Sequence, residues 1–342
     1  MVKYLIEHGA DFNKINSLGD TILSKACKNG NEHFVKYLVK LGLDINKSNK
    51  YCPTPIFYAF QSENDNLIKW LIDMGANLDK EDYENETPLF IACSYDNESL
   101  VRYLIKNGAN IYHKNKYGET PLFNACRYGN LSVVKYLIKL GIDINQKNNE
   151  YETPLYIACR YGWEKIVKYL TEQGADIQTE NRFGHTPLHG ACESNNEVIV
   201  KYLIEHGVDA RNESSYGDTP LYIACKWSNE TIIRYLIESG ADVNIPNFIG
   251  VTPLFEVCRD GNTTLVKYLM KHGADINIKN KYNETPLSFA CQSRNKDLID
   301  FLLLHGANMD LNKCNSRLYF IENPRINIKE YISLFLQLKK RK

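Results

Sequence analysis

The chain has 342 residues, and its 41 Lys and Arg residues balance 41 Asp and Glu residues, so the formal net charge is zero. No overall positive field favours DNA, RNA or an anionic membrane surface as a partner. Although 44% of the residues are hydrophobic, no apolar run is long enough to cross a bilayer. The expected partners therefore include neither nucleic acid nor a membrane interior.

A sequence unit of about 33 residues recurs along almost the whole chain. A Gly near its end recurs on this step from Gly9 to Gly306, without an insertion or deletion. The Thr that opens the unit stands at Thr21, Thr54, Thr87, Thr120, Thr153, Thr186, Thr219, Thr252 and Thr285. Self-similarity of this kind is the signature of stacked repeats, in which each unit buries its apolar faces against its neighbours.

The unit over 118–145 predicts the elements of one repeat. Thr120 and Pro121 suit the start of a short first helix, because Thr can cap a helix and Pro fits its first position. Gly129 predicts the end of that helix, and Gly141 is suited to the left-handed residue that ends a second one. The second helix is predicted from the helical spacing of Leu131, Val134, Leu137 and Ile138. A turn-rich, hairpin-like loop then leads to the next repeat.

These elements divide the chain into three parts. Residues 1–13 match only a second helix and its exit, which predicts a partial N-terminal repeat and favours a fragment or a misplaced start. Residues 14–311 contain nine repeats, all of the same length. In residues 312–342 the period is lost, and a helix over 326–338 is predicted to cap the last repeat, with a docking helix for a partner as the alternative. The KKRK sequence of residues 339–342 is interpreted as a solvated helix end, with a nuclear-import patch as the alternative.

The core of the repeat reads TPLHGA at 186–191, and TPLFNA, TPLYIA or TPLFIA in neighbouring repeats. In these residues the chain resembles the ankyrin-repeat family, whose repeat has the same length and a T-P-L-H-x-A core. The resemblance covers about residues 2–311 and implies an all-α fold, a solenoid of stacked helix–turn–helix units with projecting hairpin loops. Most repeats have Phe or Tyr where the family commonly has His, and an aromatic ring can still pack there.

Eight of the ten cysteines occupy one position of successive repeats. They are Cys27, Cys93, Cys126, Cys159, Cys192, Cys225, Cys258 and Cys291. Neighbours in a stack would exceed the ~7 Å between Cα atoms that a disulfide allows, so we interpret these cysteines as small buried hydrophobic residues. So many cysteines without a disulfide framework favour a reducing compartment. We expect the cytoplasm, with the nucleus as the alternative.

No motif for catalysis or metal binding occurs in the sequence. HExxH, a Gly-rich phosphate loop and Cys–His ligand spacing are all missing. His185 and His189 lie four residues apart, but one of them fills the structural His position of the family. We therefore predict that the protein is not an enzyme and has no catalytic residue, metal site or cofactor.

Binding residues are predicted where side chains vary between repeats while the scaffold stays constant. The resemblance implies a concave groove made of loop tips and the outer face of each first helix. The residues chosen there are Tyr95, Tyr117, Arg127, Tyr128, Arg160, Tyr161, Phe183, Tyr216, Lys226, Trp227 and Arg259. Tyr, Trp and Arg dominate interface hot spots, although Tyr is frequent throughout this chain and some rings would only pack against adjacent loops.

Acidic residues precede the Thr in five repeats, at Glu86, Glu119, Glu152, Asp218 and Glu284. Because both charge signs meet in one groove, a protein partner is favoured over a phosphate backbone. The sequence thus predicts a monomeric, non-catalytic scaffold or adaptor that binds a protein partner. The alternatives are a structural or mechanical segment of a longer protein, and a substrate-targeting adaptor that uses its C-terminal helix to recruit processing machinery.

Overall fold

The structure, a computed structural model, describes residues 8–9, 11, 14–17, 19–48, 54–293 and 295–308. The chain divides after Asp176 into two compact units, unit 1 before this point and unit 2 after it. All regular secondary structure in the described residues is α-helical. Residues 312–342, with the predicted capping helix and basic tail, and most of residues 1–13 lie outside the described residues, so the three-part division of the chain stays a prediction.

In both units a short first helix alternates with a second helix of nine residues. Unit 1 contains α1 (Ile22–Lys28), α2 (Glu32–Lys40), α3 (Pro55–Phe60), α4 (Asp65–Asp73), α5 (Pro88–Ser94), α6 (Glu98–Lys106), α7 (Pro121–Arg127), α8 (Leu131–Lys139), α9 (Pro154–Arg160) and α10 (Glu164–Glu172). Unit 2 contains α11 (Pro187–Glu193), α12 (Glu197–Glu205), α13 (Pro220–Lys226), α14 (Glu230–Glu238), α15 (Pro253–Asp260), α16 (Thr263–Lys271), α17 (Pro286–Ala290) and α18 (Lys296–Leu304). Within each unit, a first helix packs on the second helix of its own repeat and on the first helix of the next.

The first helices begin as the Thr-Pro pair predicts, with an extended Thr at the N-cap and Pro at the first helical position of every first helix except α1. The hydroxyl of Thr153 accepts a bond of 3.2 Å from the backbone N–H of Tyr156. The hydroxyl of Thr120, in contrast, is buried and makes no hydrogen bond to the residues that the structure describes. The side-chain cap predicted for Thr120 is therefore wrong for that residue, although the equivalent Thr153 one repeat later does make it.

The second helices end as their glycines predict. Gly141 has a φ of 86°, and its N–H bonds the carbonyl of Ile138 at 2.9 Å while the N–H of Ile142 bonds the carbonyl of Leu137. These two bonds form a Schellman motif. The motif satisfies carbonyls that the end of the helix would otherwise leave unpaired.

The core lies between the two helix layers of each unit. In α8 the buried residues are Val133, Val134 and Leu137, whereas Leu131 and Ile138 of the predicted stripe are only half-buried. The helical pattern missed Val133 because the buried face of the second helix meets both its own first helix and the adjacent second helix, and so is wider than a single stripe.

The eight cysteines that share one repeat position are all buried. The interpretation of these residues as small buried hydrophobic side chains is confirmed. Burial raises the pKa of Cys27 to about 12 and that of Cys126 even further. These thiols therefore stay protonated near neutral pH.

The loops between repeats are compact and linked to one another. The side-chain oxygen of Asn115 accepts bonds of 3.0 Å from the N–H groups of Tyr117 and Glu119, which closes one loop. One backbone bond then joins it to the preceding loop, from the N–H of Lys116 to the carbonyl of Glu84 at 2.9 Å. In unit 2 the N–H of Ser215 likewise bonds the carbonyl of Phe183 at 2.8 Å. The predicted hairpin-like loops are thus present, and each holds its neighbour in register.

Candidate partner-binding surface

The predicted binding residues fall at two kinds of position, the loop tips and the C-terminal ends of the first helices. We call them the tip surface. In unit 1 it comprises Tyr95, Tyr117, Arg127, Tyr128, Arg160 and Tyr161. In unit 2 it comprises Phe183, Tyr216, Lys226, Trp227 and Arg259.

Three tyrosines of unit 1 follow directly after first helices. Tyr95, Tyr128 and Tyr161 are the C-cap residues of α5, α7 and α9. Tyr128 is 53% exposed and Tyr161 is similar, while Tyr95 is more covered and stacks on Phe60 at 6.5 Å between ring centroids. The repeat therefore presents an exposed ring at one equivalent position of successive helices.

Arg127 is largely engaged within the fold. Its guanidinium forms an ion pair with the buried carboxylate of Glu119 and donates to the side-chain oxygen of Asn124 at 2.8 Å. Tyr161 also interacts with it. Because only 22% of the Arg127 side chain is exposed, its replacement would disturb the fold as well as any partner contact.

The acidic residues that precede the Thr form a hydrogen-bonded row with asparagines of the loops. The Asn115 amide donates to Glu86 at 3.3 Å and to Glu119 at 3.4 Å. Asn148 repeats this pattern, with Glu119 at 3.4 Å and Glu152 at 2.9 Å. Burial raises the pKa of the Glu86 carboxyl. The row thus gathers several carboxylates along one edge of unit 1.

A pocket of about 340 Å³ opens beside this row. Tyr117 and Arg127, one from a loop tip and one from a helix end, both line it, so the structure brings these two predicted residues together. The other lining residues are Glu86, Glu119, Asn148, Asn149, Glu150 and Glu152. Two of these carboxylates are already paired with arginines of the tip surface, Glu119 with Arg127 and Glu152 with Arg160 at 3.4 Å.

A loop of this chain already holds a cation between aromatic rings. The Lys116 ammonium lies 5.5 Å from the ring centroid of Tyr83 and 5.1 Å from that of Tyr117. It also pairs with the Glu84 carboxylate at 2.8 Å. These contacts fall within the usual range of a cation–π interaction.

In unit 2 the loop tips form a row of rings. Phe183 stacks on Tyr216 with 6.2 Å between centroids, and Tyr216 contacts Phe248 at 5.6 Å. At the helix ends Trp227 is 58% exposed. Arg259, in contrast, is paired with the buried Glu256 and lies 4.8 Å from the Phe289 ring.

Protein-family models match nearly the whole chain. The model described as ankyrin repeats in three copies matches five overlapping stretches, residues 1–82, 56–148, 107–181, 155–247 and 246–313. The chain belongs to the ankyrin-repeat family. Its predicted fold class, an all-α ankyrin solenoid, is confirmed. Ankyrin repeats are generally modules for protein–protein interaction and are typically not catalytic. No curated protein matches the chain.

The predicted loop residues all lie three residues before the Thr, so several other exposed residues of these ankyrin repeats were not predicted. Tyr83 and Phe248 precede that position by one residue, and Tyr151 follows it by one. Tyr151 is 57% exposed and has a φ of 60°, where the neighbouring ankyrin loops have Gly or Asn. An aromatic residue in this left-handed region is rare, and the sequence already shows Tyr151 at a repeat position that is mostly Gly or Asn elsewhere.

The constant tyrosines on the second helices of the ankyrin repeats contact basic side chains of the preceding repeat. The Arg102 guanidinium lies 3.8 Å from the ring centroid of Tyr136, one repeat later. In unit 2 Arg234 is 4.1 Å from Tyr268. These rings thus link adjacent repeats through cation–π contacts.

The described part of the chain contains no group of three or more His, Cys, Asp or Glu side chains that could hold a metal ion. No helix among the described residues is long and apolar enough to span a membrane.

Proposed function

We propose that this protein is a non-catalytic scaffold or adaptor that binds a protein partner through its tip surface. The observation that carries the proposal is the exposed ring at one equivalent position of successive repeats, at Tyr128 and Tyr161 in unit 1. Such rings bury a large area at little cost in side-chain entropy. The rigid, hydrogen-bonded loops beside them add preorganisation, which limits the entropy lost on binding.

The test begins with affinity capture by the full chain and identification of the proteins retained. A triple variant, with Tyr128, Arg160 and Tyr161 each changed to Ala, is then compared with the wild type for the same partner. Arg127 is left intact because it holds Glu119. We expect the triple variant to bind at least about 10-fold more weakly, since hot-spot residues cost about 2 kcal/mol or more each when truncated.

Tyr112 provides a matched control, because it is 60% exposed but follows a second helix and lies outside the tip surface. Tyr112→Ala should leave partner binding unchanged. Equal binding by the wild type and by the triple variant, with the fold intact by circular dichroism, would refute the tip surface of unit 1 as the binding site. That result is expected if the protein is instead a structural or mechanical segment of a longer protein.

For unit 2, a double variant with Lys226→Ala and Trp227→Ala is compared with the wild type for binding of the same partner. Trp227 is the most exposed ring of that tip surface, so its loss should weaken a partner that contacts unit 2. We further infer that the protein is a monomer in the cytoplasm. The buried, protonated thiols support a reducing compartment, and analytical ultracentrifugation checks the oligomeric state.

A further inference from the structure

Helix α8 contains two lysines and no acidic residue. It begins with Leu131, at the position where the preceding repeat has Glu98. In α6 this acidic residue pairs with a basic residue one turn later, Arg102. In α8 the basic residue is Lys135, and Lys139 follows one turn later on the same face. Both lysines of α8 are therefore without a carboxylate on their own helix.

The two lysines line a pocket of about 370 Å³ that is formed by residues of α6 and α8. Arg102 and Glu98 also line it, but they neutralise each other. Lys135 lies 5.4 Å from the ring centroid of Tyr169, and neither Lys135 nor Lys139 forms an ion pair with a residue that the structure describes. An ammonium has three donors, so the contact with the Tyr169 ring leaves Lys135 able to bind an anion.

The first turn of α8 forms the other end of this pocket. Leu131 lines it with a half-buried apolar side chain. Ser132 donates to the Asp96 carboxylate at 3.3 Å, which places a negative charge at that end. Lys139 is about 12 Å away from Leu131 along the helix axis, eight residues at about 1.5 Å each. The pocket thus combines an apolar contact at one end with two cations towards the other.

Unit 2 repeats the two lysines in different surroundings. Helix α16 also lacks an acidic residue and has Lys267 and Lys271 at the same two positions. The second helix before it, α14, ends in Glu238, which accepts from the Tyr268 hydroxyl at 3.4 Å. In unit 1 the equivalent last residue of α6 is Lys106. The lysines of α16 therefore lie next to a helix that ends in a carboxylate, and those of α8 next to one that ends in a cation.

We propose that the pocket between α6 and α8 binds a phosphotyrosine side chain of another protein. The phosphate would lie between Lys135 and Lys139, and the aromatic ring against Leu131. The two lysines contribute two unbalanced positive charges, which match the charge of about −1.5 to −2 on a phosphate monoester better than that of a single carboxylate. The inference goes beyond the proposed function, because no residue of the tip surface lines this pocket.

The experiment titrates the full chain with an acetylated and amidated peptide that has one phosphotyrosine between glycines, and follows amide NMR shifts. We expect a Kd of about 0.1–1 mM, because exposed lysines supply the charge, with shifts concentrated at residues 98–106 and 131–139. The same peptide with unmodified tyrosine should bind at least about 10-fold more weakly, since it lacks the phosphate. A phosphoserine peptide and inorganic phosphate should each bind about 3- to 10-fold more weakly, since they lack the ring.

A double variant, Lys135→Gln with Lys139→Gln, should weaken the phosphotyrosine peptide at least about 10-fold, because it removes both charges. The matched control is Lys267→Gln with Lys271→Gln, which removes the same charges from α16 and should have no effect. Leu131→Glu is a second test, since it restores the acidic residue that α6 has at this position. Its carboxylate should pair with Lys135 and weaken the peptide about 5-fold or more.

Equal binding of the phosphotyrosine and tyrosine peptides, or equal effects of the two double variants, would overturn the proposal. Equal binding of the phosphoserine peptide or of inorganic phosphate would overturn the choice of phosphotyrosine. The outcome is separate from that of the proposed function. The variant of Tyr128, Arg160 and Tyr161 should bind the phosphotyrosine peptide as the wild type does, so either surface can fail while the other stands.

Discussion

The indole N–H of Trp163 donates a hydrogen bond of 2.9 Å to the backbone carbonyl of Arg127, in the preceding repeat. Trp163 is the N-cap residue of α10, a position that other repeats fill with Asn. Three of those asparagines, Asn64, Asn130 and Asn295, donate in the same way to a backbone carbonyl of the preceding repeat, as when the Asn130 amide donates to the carbonyl of Cys93 at 2.8 Å. Trp163 thus preserves the link between repeats with a different donor.

The Trp163 ring also packs closely against Gly129. A Cβ atom at Gly129 would lie 2.7 Å from the ring, whereas one at Gly141 would meet nothing within 4 Å. Both glycines have a similar positive φ, 83° and 86°. Gly141→Ala should therefore lower the free energy of unfolding by about 1–2 kcal/mol, the cost of the left-handed backbone. Gly129→Ala should lower it by about 1–3 kcal/mol more through overpacking.

Urea unfolding of the two variants measures this difference. In a Trp163→Ala background the extra cost of Gly129→Ala should disappear, because the ring that it meets is gone. If both variants lost the same free energy of unfolding in the wild-type background, the Trp163 ring would move aside without an energetic cost.

A second prediction concerns the cation–π contacts between second helices. The Arg102 guanidinium carbon lies 3.8 Å from the ring centroid of Tyr136, whereas the Lys135 ammonium lies 5.4 Å from the ring centroid of Tyr169. A double-mutant cycle with Arg102→Gln and Tyr136→Leu should give a coupling energy of about 0.5–1 kcal/mol in unfolding. The cycle for Lys135 and Tyr169 should give less, because its ammonium is farther from the ring. A coupling that is absent in both cycles would mean that these rings contribute through packing alone.

A third prediction concerns acid stability and His189. This ring is fully buried. Its Nδ1 atom accepts a hydrogen bond from the backbone N–H of Thr186 at 3.1 Å. The ring proton is therefore on Nε2, which donates to the carbonyl of Asp218 at 3.1 Å. Burial lowers the pKa of His189 to about 3. In the unfolded chain a His accepts a proton below a pH of about 6.5. Between these values the unfolded state binds more protons, so stability falls as the pH drops.

The matching variant is His189→Tyr, since Tyr222 fills the equivalent position one repeat later. Between pH 7 and pH 5 the wild type should lose about 2 kcal/mol more of its free energy of unfolding than the variant. Urea denaturation at the two pH values measures the difference. Identical losses would mean that the buried imidazole titrates normally.

A fourth prediction concerns the buried cysteines. With Cys52 and Cys314 replaced by Ser, the remaining thiols are those of the shared repeat position. Because burial raises the pKa of Cys126 and hides its sulfur, a thiol reagent at pH 8 should label these cysteines only as fast as the protein opens. Mass spectrometry should then find all eight labelled in urea and almost none in buffer. Rapid labelling of the folded protein would contradict the burial.

The sequence alone determined those features that depend on local backbone chemistry. A Thr-Pro pair starts a helix, and Gly141 ends one, wherever the surrounding chain lies. Because such signals recur with a constant period, they also determined that the repeats stack, and hence that Cys126 and its counterparts are buried. The candidate surface could be located as a set of repeat positions for the same reason.

Only the tertiary structure decided how individual side chains on that surface are used. Arg127 is held by Glu119 and Tyr161, Arg160 is paired with Glu152, and Trp163 covers Gly129. The contacts of Tyr161 and Trp163 join residues about one repeat apart, so they depend on how far each loop and helix end is displaced from the next. A periodic sequence shows which residues share a position, but packing between repeats determines which of them remain exposed.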